Sequence, residues 1–132
     1  MSSPDDLVRG WLLKGDSDLA TARLVADSTG PYDTACFHAQ QAAEKYLKGF
    51  LTHAGIPFPF THNLEELELR GAAANPRPDF SMVDLTILTP YAVQLRYDPD
   101  FWPDQAAANE ALNLAGHVRA AILAVLPTST HP

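Results

Sequence analysis

The sequence has a single cysteine, no long hydrophobic run and no excess of basic residues. Cys36 alone excludes an intramolecular disulfide and a zinc site built from several cysteines. No stretch approaches the roughly 18 uncharged apolar residues that a membrane-spanning helix needs. The first residues have neither the basic segment nor the apolar run of a signal peptide. We therefore expect a cytoplasmic protein that does not contact a membrane.

The charge balance of the 132 residues is acidic, with sixteen Asp and Glu against nine Lys and Arg and a formal net charge of −7. Non-specific nucleic-acid binding requires a broad basic surface, so we do not expect it, although a small local basic site is compatible with this balance. Apolar residues make up 46% of the chain, which is enough for the core of one domain. We expect a single helical bundle domain over residues 1–132, with its core at about 5–126.

Signals for β-strands are also missing, because alternating apolar patterns and Asn-Gly or Asp-Gly turns are absent. Proline inside a helix costs about 3 kcal/mol, so the proline-free runs are the expected helices. These runs are 5–30, 32–56, 60–75, 79–89 and 104–126. Four main helices, one short helix and short connections predict an all-α fold: an antiparallel up-and-down four-helix bundle with an additional short helix.

Apolar residues recur at helical spacing in these runs. The first and last runs each carry one stripe, whereas the second carries two adjacent rows and should therefore contact two other helices as the central helix. The first stripe is Val8, Leu12, Gly15, Leu19, Ala22 and Ala26, and the last is Ala108, Ala111, Ala115, Val118, Ile122 and Val125. The rows of the second run are Cys36, Ala43, Leu47 and Phe50, and Ala35, Ala39, Ala42 and Tyr46.

The shorter helices are defined by capping residues and proline. Thr61 or Asn63 can cap the short third helix. The fourth helix is expected to begin near Asp79, and Pro90 should kink it or restart it before it continues to Tyr97. The last helix is expected from about Pro103 to Leu126.

One face of the second helix is polar. His38, Gln41, Lys45 and Lys48 follow one another at steps of three and four, so they share this face. An imidazole, an amide and two ammonium groups are suitable donors for a phosphate and a hydrogen-bonding base. The alternative is a solvated face on which Glu44 forms an ordinary ion pair with Lys48.

Three further residues have both a structural and a functional interpretation. His62, at a helix start, either supports the cap or contacts a ligand. Arg96, at the end of the fourth helix, binds the last carbonyls or Asp98, or else binds an anion. Cys36 lies near a helix start, where its pKa would fall, but on an apolar row, so we predict a buried structural cysteine. No histidine follows a glutamate by three residues, as a di-iron bundle would need, and we expect no metal and no cofactor.

The stretch from Ala35 to Leu51 resembles the signature helix of the HEPN family (higher eukaryotes and prokaryotes nucleotide-binding). Three downstream blocks and the opening tryptophan helix are also similar, in the order of that family, over about residues 7–126. These are Asp18-Leu19 with Ala22, Gly55-Ile56-Pro57, Thr61-His62-Asn63-Leu64 and Leu95-Arg96-Tyr97. The resemblance implies a short antiparallel four-helix bundle with an extra helix, commonly a homodimer.

Small members of this family are often encoded beside a minimal nucleotidyltransferase. The resemblance therefore implies a nucleotide-binding accessory partner of such an enzyme, in a toxin–antitoxin-like pair. The candidate nucleotide- and phosphate-binding residues are His38, Gln41, Lys45, Lys48, His62 and Arg96.

Many relatives are RNases with an Arg-x4–6-His motif, and this sequence has no histidine at those distances after any arginine. Five to seven residues after Arg96, where the motif would place its histidine, the sequence has Phe101, Trp102 and Pro103. We therefore predict no catalytic residues of the standard kind. Two alternatives stay open: an RNase toxin in which His38 or His62 replaces the missing histidine, and a dimeric protein-interaction module with exposed Phe101 and Trp102.

Overall fold

Three long helices form the body of the computed structural model, which describes residues 3–132. They are α1 (Pro4–Ala26), α2 (Tyr32–Ala54) and α6 (Gln105–Val125). The chain between α2 and α6 holds three short helices, α3 (Leu64–Arg70), α4 (Leu85–Leu88) and α5 (Gln94–Tyr97), and 3-10 turns lie at Thr89–Ala92 and Thr128–Thr130. Residues 3–132 contain no strand, and the predicted all-α helical class is confirmed.

Helix α2 is central, as its two apolar rows predict. Every residue of both rows is buried, and α2 packs against both α1 and α6. Contact with α1 is close at two glycines, because a Cβ on Gly15 would lie 2.6 Å from Tyr46 Cε1 and one on Gly49 would lie 3.2 Å from Trp11 Cβ. The apolar rows and these glycines therefore set the packing that brings the polar side chains of α1 against those of α2.

Cys36 is a buried residue of this core, as predicted. Burial raises the pKa of its thiol to about 11, against the lowering that a helix start alone would give. The thiol is therefore a packing group at neutral pH.

Side-chain caps fix the helix starts. Asn63 caps α3 by accepting a hydrogen bond from the Glu66 N–H at 2.9 Å, which agrees with one of the two predicted caps. Asp104 caps α6 in the same way. At the other end of α2, Gly55 has a φ of 71°, the left-handed conformation that glycine adopts readily.

The predicted helix start near Asp79 is wrong. Asp79 accepts a hydrogen bond from the Ser81 N–H at 2.9 Å, and Asp84 accepts one from the Thr86 N–H at 3.0 Å. The bond of Asp79 competes with helical pairing, whereas that of Asp84 is the N-cap bond of α4, so the helix begins only at Leu85. Pro90 then occupies the 3-10 turn, and the expected fourth helix is divided into short pieces.

No helix within residues 3–132 has the length and apolar character needed to cross a membrane.

Candidate functional site

The predicted polar face of α2 meets a carboxylate of α1. Asp18 Oδ1 lies 2.8 Å from His38 Nδ1, and Asp18 Oδ2 accepts a hydrogen bond from Lys45 Nζ. These three residues, named here the Asp18 cluster, are partly open to solvent, and the Lys45 side chain is 25% exposed. One carboxylate therefore holds two of the predicted donors at the surface.

A second carboxylate holds two more of the predicted residues. Glu44 Oε2 accepts from Lys48 Nζ at 2.9 Å, and Glu44 Oε1 lies 2.8 Å from His62 Nδ1. The predicted Glu44–Lys48 pair is confirmed, but it is buried rather than solvated, since the Lys48 side chain is only 7% exposed. These three residues form the Glu44 cluster. Its ammonium lies 5.6–5.9 Å from three ring centroids, those of Trp11, Phe58 and Phe60.

Two glutamines of α2 form a chain of hydrogen bonds that ends at the Glu44 cluster. Gln41 Nε2 donates to Gln40 Oε1 at 2.7 Å. The fully buried Gln40 donates to Glu44 Oε1 at 3.3 Å and to the carbonyl of His62 at 3.0 Å. Gln40 therefore fixes the backbone that carries His62 against α2, and Gln41 is the partly exposed end of this chain of hydrogen bonds.

Arg96 approaches the Asp18 cluster across an aromatic ring. Its Cζ lies 5.2 Å from the centroid of Phe37, whose ring is in edge contact with His38 at a centroid distance of 5.5 Å. Within residues 3–132 the Arg96 side chain forms neither an ion pair nor a hydrogen bond, so its expected bonds to the last helix carbonyls or to Asp98 are absent. Arg96 is exposed, and its guanidinium lies within cation–π distance of the Phe37 ring.

The six predicted residues therefore form two groups. His38, Lys45 and Arg96 lie around Asp18 and Phe37, whereas Lys48 and His62 belong to the Glu44 cluster. Periodicity did not identify Asp18 and Gln40, because their roles depend on contacts with other parts of the chain. The order Asp18-Leu19 in the opening helix was the one available signal for Asp18.

A third carboxylate was also missed. Asp16 accepts a hydrogen bond from the Tyr46 hydroxyl at 2.6 Å and from Arg119 Nε at 2.8 Å, and so joins α1, α2 and α6. Burial would raise the pKa of Asp16, but the bonds from Arg119 and Tyr46 outweigh it and hold this pKa below its usual range. All of its partners come from other helices, and we assign this group to the stability of the bundle.

The acidic loop before α6 differs from its prediction. Phe101 is partly buried and stacks on Tyr91 at a centroid distance of 6.0 Å, so the expectation that it is exposed is wrong. Trp102 is 72% exposed, and its indole N–H donates to the carbonyl of Pro99 at 2.8 Å. Only the tryptophan is available to a partner surface.

A family model, that of the HEPN domain, matches residues 8–125. The chain belongs to the HEPN domain family. Its fold is similar to that of TT1696 from Thermus thermophilus, with 30% sequence identity and a TM-score of 0.72 over 90% of this chain and 98% of the other. It is also similar to ST0689, an archaeal HEPN homologue, with 29% identity and a TM-score of 0.63 over 89% and 95% of the two chains. Among proteins with curated descriptions, none matches this sequence.

Proposed function

We propose that this HEPN-domain chain binds a nucleotide or another phosphate-bearing ligand and acts as the accessory partner of a minimal nucleotidyltransferase. The observation that supports the ligand most directly is the Asp18 cluster with Arg96 beside it. There a lysine and an imidazole bind one partly exposed carboxylate, and an exposed arginine lies over the neighbouring Phe37 ring. In this proposal the partner supplies the chemistry of nucleotide transfer.

The local charge favours an anion although the chain as a whole is acidic. Asp18 balances Lys45, while Arg96 has no ion pair within residues 3–132. The site therefore carries one positive charge with His38 neutral and two when it is protonated. Because Arg96 is exposed and its side chain forms no hydrogen bond within residues 3–132, its guanidinium N–H groups can bind phosphate oxygens.

The remaining predicted residues, Gln41, Lys48 and His62, differ in how directly they can contact the ligand. Gln41 offers a partly exposed amide that can read a base or ribose edge. Lys48 is buried and paired with Glu44, so it supports the position of His62, whose ring is partly exposed. We therefore expect direct ligand contact from His38, Gln41, Lys45 and Arg96, with His62 at the border.

Calorimetric titration of ATP, GTP and their monophosphates, with and without Mg²⁺, tests this site. We expect binding that falls about tenfold in Arg96→Ala, the loss of one charged phosphate contact, and further in Lys45→Ala/Arg96→Ala. Arg23→Ala is the matched control, because Arg23 is exposed on α1 and has no ion pair within the described residues. Equal affinity in Arg96→Ala and Arg23→Ala would contradict the site.

The partner and the homodimer are tested separately. The nucleotidyltransferase should copurify with a tagged form of this chain when the two are expressed together. Light scattering should give twice the chain mass for this protein alone. A monomer that retains nucleotide and partner would remove the homodimer from the proposal.

A second candidate function, RNase activity with a non-standard site, is favoured by one contact. Asp18 binds the imidazole of His38. His38 and Arg96 both contact the ring of Phe37. An imidazole can move the proton of a 2′-hydroxyl while a guanidinium stabilises phosphorane charge. The purified protein would then cleave RNA without added metal, and His38→Ala would abolish cleavage. An unaltered rate in His38→Ala would contradict this role of His38.

A further inference from the structure

One cavity of the described chain lies away from the α2 polar face. It is an open groove of about 770 Å³ between the C-terminal half of α2, α3 and the loop that follows α3. None of the six predicted site residues lines it. Its volume falls within the range of about 300–1,000 Å³ that is typical of small-molecule sites.

The floor of this α3 groove is apolar. Leu47 and Phe50 come from α2, Leu67 from α3 and Phe80 from the loop, and each is nearly or fully buried. These side chains are already shielded from water, so a ligand with an aromatic or aliphatic body would gain free energy mainly by removing its own apolar surface from water. The floor therefore sets the shape and the apolar character of the occupant.

The rim of the groove is acidic. Glu65, Glu68 and Asp79 line it together with one cation, Arg77. Within residues 3–132 none of these four forms an ion pair. Both oxygens of Glu65 accept from the Thr89 hydroxyl at 3.0 Å, Asp79 accepts from the Ser81 N–H at 2.9 Å, and Arg77 Nη1 donates to the carbonyl of Ala72 at 3.0 Å. Three carboxylates against one guanidinium leave the rim with an excess of negative charge.

Burial raises the pKa of the Glu68 carboxyl, and the negative charge of Glu65 raises it further. Glu65 precedes Glu68 by one helical turn, and the two carboxylates repel each other. A cation placed between them would remove this repulsion, whereas an anion would add to it.

We infer that the α3 groove binds a small organic cation, an amine or guanidine on an apolar body. Its apolar part lies on Phe50, Leu67 and Phe80, and its charged group lies between Glu65 and Glu68. This site is independent of the nucleotide site proposed above, since the two share no residue.

Two probes with the same body and opposite charge test the charge preference. We expect 4-phenylbutylamine to shift the backbone amide signals of Gly71, Ala72 and Ser81 in a ¹H–¹⁵N NMR titration. We expect 4-phenylbutyrate to bind about tenfold more weakly, as one lost ionic contact would give. Equal binding of the two probes, or no shift up to the solubility limit, would overturn the inference.

Variants test the position of the site. Glu65→Gln/Glu68→Gln should weaken amine binding about tenfold or more, whereas the control Asp100→Asn/Glu110→Gln has the same change in net charge and should not. Ala72→Trp should block the groove, because Ala72 is exposed and lines it. Ser81→Trp should block the groove from the side of the loop, and it replaces Ala72→Trp in the experiment if that variant fails to fold. Amine binding that survives in a folded tryptophan variant would place the ligand elsewhere.

Discussion

Two carboxylates on neighbouring helices hold the same pair of side-chain types in different surroundings. Asp18 and Glu44 each bind one lysine Nζ and one histidine Nδ1, with the histidine contact at 2.8 Å in both. The Lys45 side chain of the Asp18 cluster is 25% exposed, but that of Lys48 in the Glu44 cluster is 7% exposed. The two clusters therefore contain the same types of charged group, but water reaches the Asp18 cluster more easily than the Glu44 cluster.

This difference separates a ligand site from a structural support. A lysine that water reaches can exchange its carboxylate for an incoming phosphate at small cost. A buried lysine cannot leave its counter-charge without a large desolvation penalty. We therefore expect variants of Glu44 to act mainly on stability and variants of the Asp18 cluster to act mainly on binding.

The largest expected effect comes from removing the buried counter-charge. Glu44→Gln keeps the volume of the side chain but leaves the Lys48 ammonium buried without an opposite charge, so the free energy of unfolding should fall by about 3–5 kcal/mol. Asp18→Asn is the matched control, and its loss should be about 1 kcal/mol because Lys45 and His38 reach water. Urea unfolding of the three proteins measures both values. Equal losses would show that burial does not distinguish the clusters.

A compensating change sharpens the comparison. Glu44→Gln/Lys48→Met removes both charges and keeps an apolar chain among the rings of Trp11, Phe58 and Phe60. We expect it to recover about 2 kcal/mol or more of the stability lost in Glu44→Gln, because a buried pair replaced by apolar groups is often neutral. Denaturant unfolding of the double variant gives the coupling energy. A double variant no more stable than Glu44→Gln would mean that the hydrogen bonds of Glu44 matter more than its charge.

The close contact of α1 with α2 allows the Asp18 cluster to form, and it depends on Gly15. A methyl group there would meet the Tyr46 ring at 2.6 Å, so Gly15→Ala should cost about 1–3 kcal/mol through overpacking. Gly10→Ala is the control, because a Cβ at Gly10 meets nothing within 4 Å and should add about 0.5–1 kcal/mol through helix propensity. Thermal unfolding measures both. Opposite signs are expected, and a loss in both variants would contradict the packing argument.

The sequence predicts one part of this molecule well. The stripes of α1, α2 and α6 repeat within each helix, so burial can be predicted from spacing. The structure buries both rows of α2 and all of the other two stripes except Leu19 and Val125, which are partly buried. The expected range of α6, from about Pro103 to Leu126, differs from the observed Gln105–Val125 only at its ends. Long amphipathic helices are predictable because burial of one face determines them.

The carboxylate partners could not be predicted in the same way. Whether Asp18 reaches His38 and Lys45 depends on the rotation and offset of α1 against α2, which no periodicity within one helix encodes. The prediction of one helix from Asp79 to Tyr97 was wrong for a different reason. Its apolar spacing fits one helix from Asp79, but the Asp79 side chain binds the Ser81 N–H in a local turn, and Asp84 caps a helix that starts only at Leu85.

The smallest expected effect concerns Asp16, whose partners link three helices near the same contact. The bonds from Arg119 and Tyr46 hold the pKa of Asp16 below its usual range against the effect of burial. A lowered folded-state pKa adds stability above the unfolded value of about 3.9, and this contribution is lost as the pH falls through the folded-state pKa. Arg119→Met should therefore cost at most about 1 kcal/mol at neutral pH, since the ion pair is partly exposed.

As the pH falls through the lowered folded-state pKa of Asp16, the difference between Arg119→Met and the unaltered protein should disappear, because the carboxyl is then protonated in both. Urea unfolding at a series of pH values measures this convergence. Arg23→Met serves as the control, since this exposed arginine of α1 has no ion pair within the described residues and should show no such pH dependence. A constant difference at every pH would mean that Arg119 stabilises the bundle by packing of its aliphatic chain rather than through Asp16.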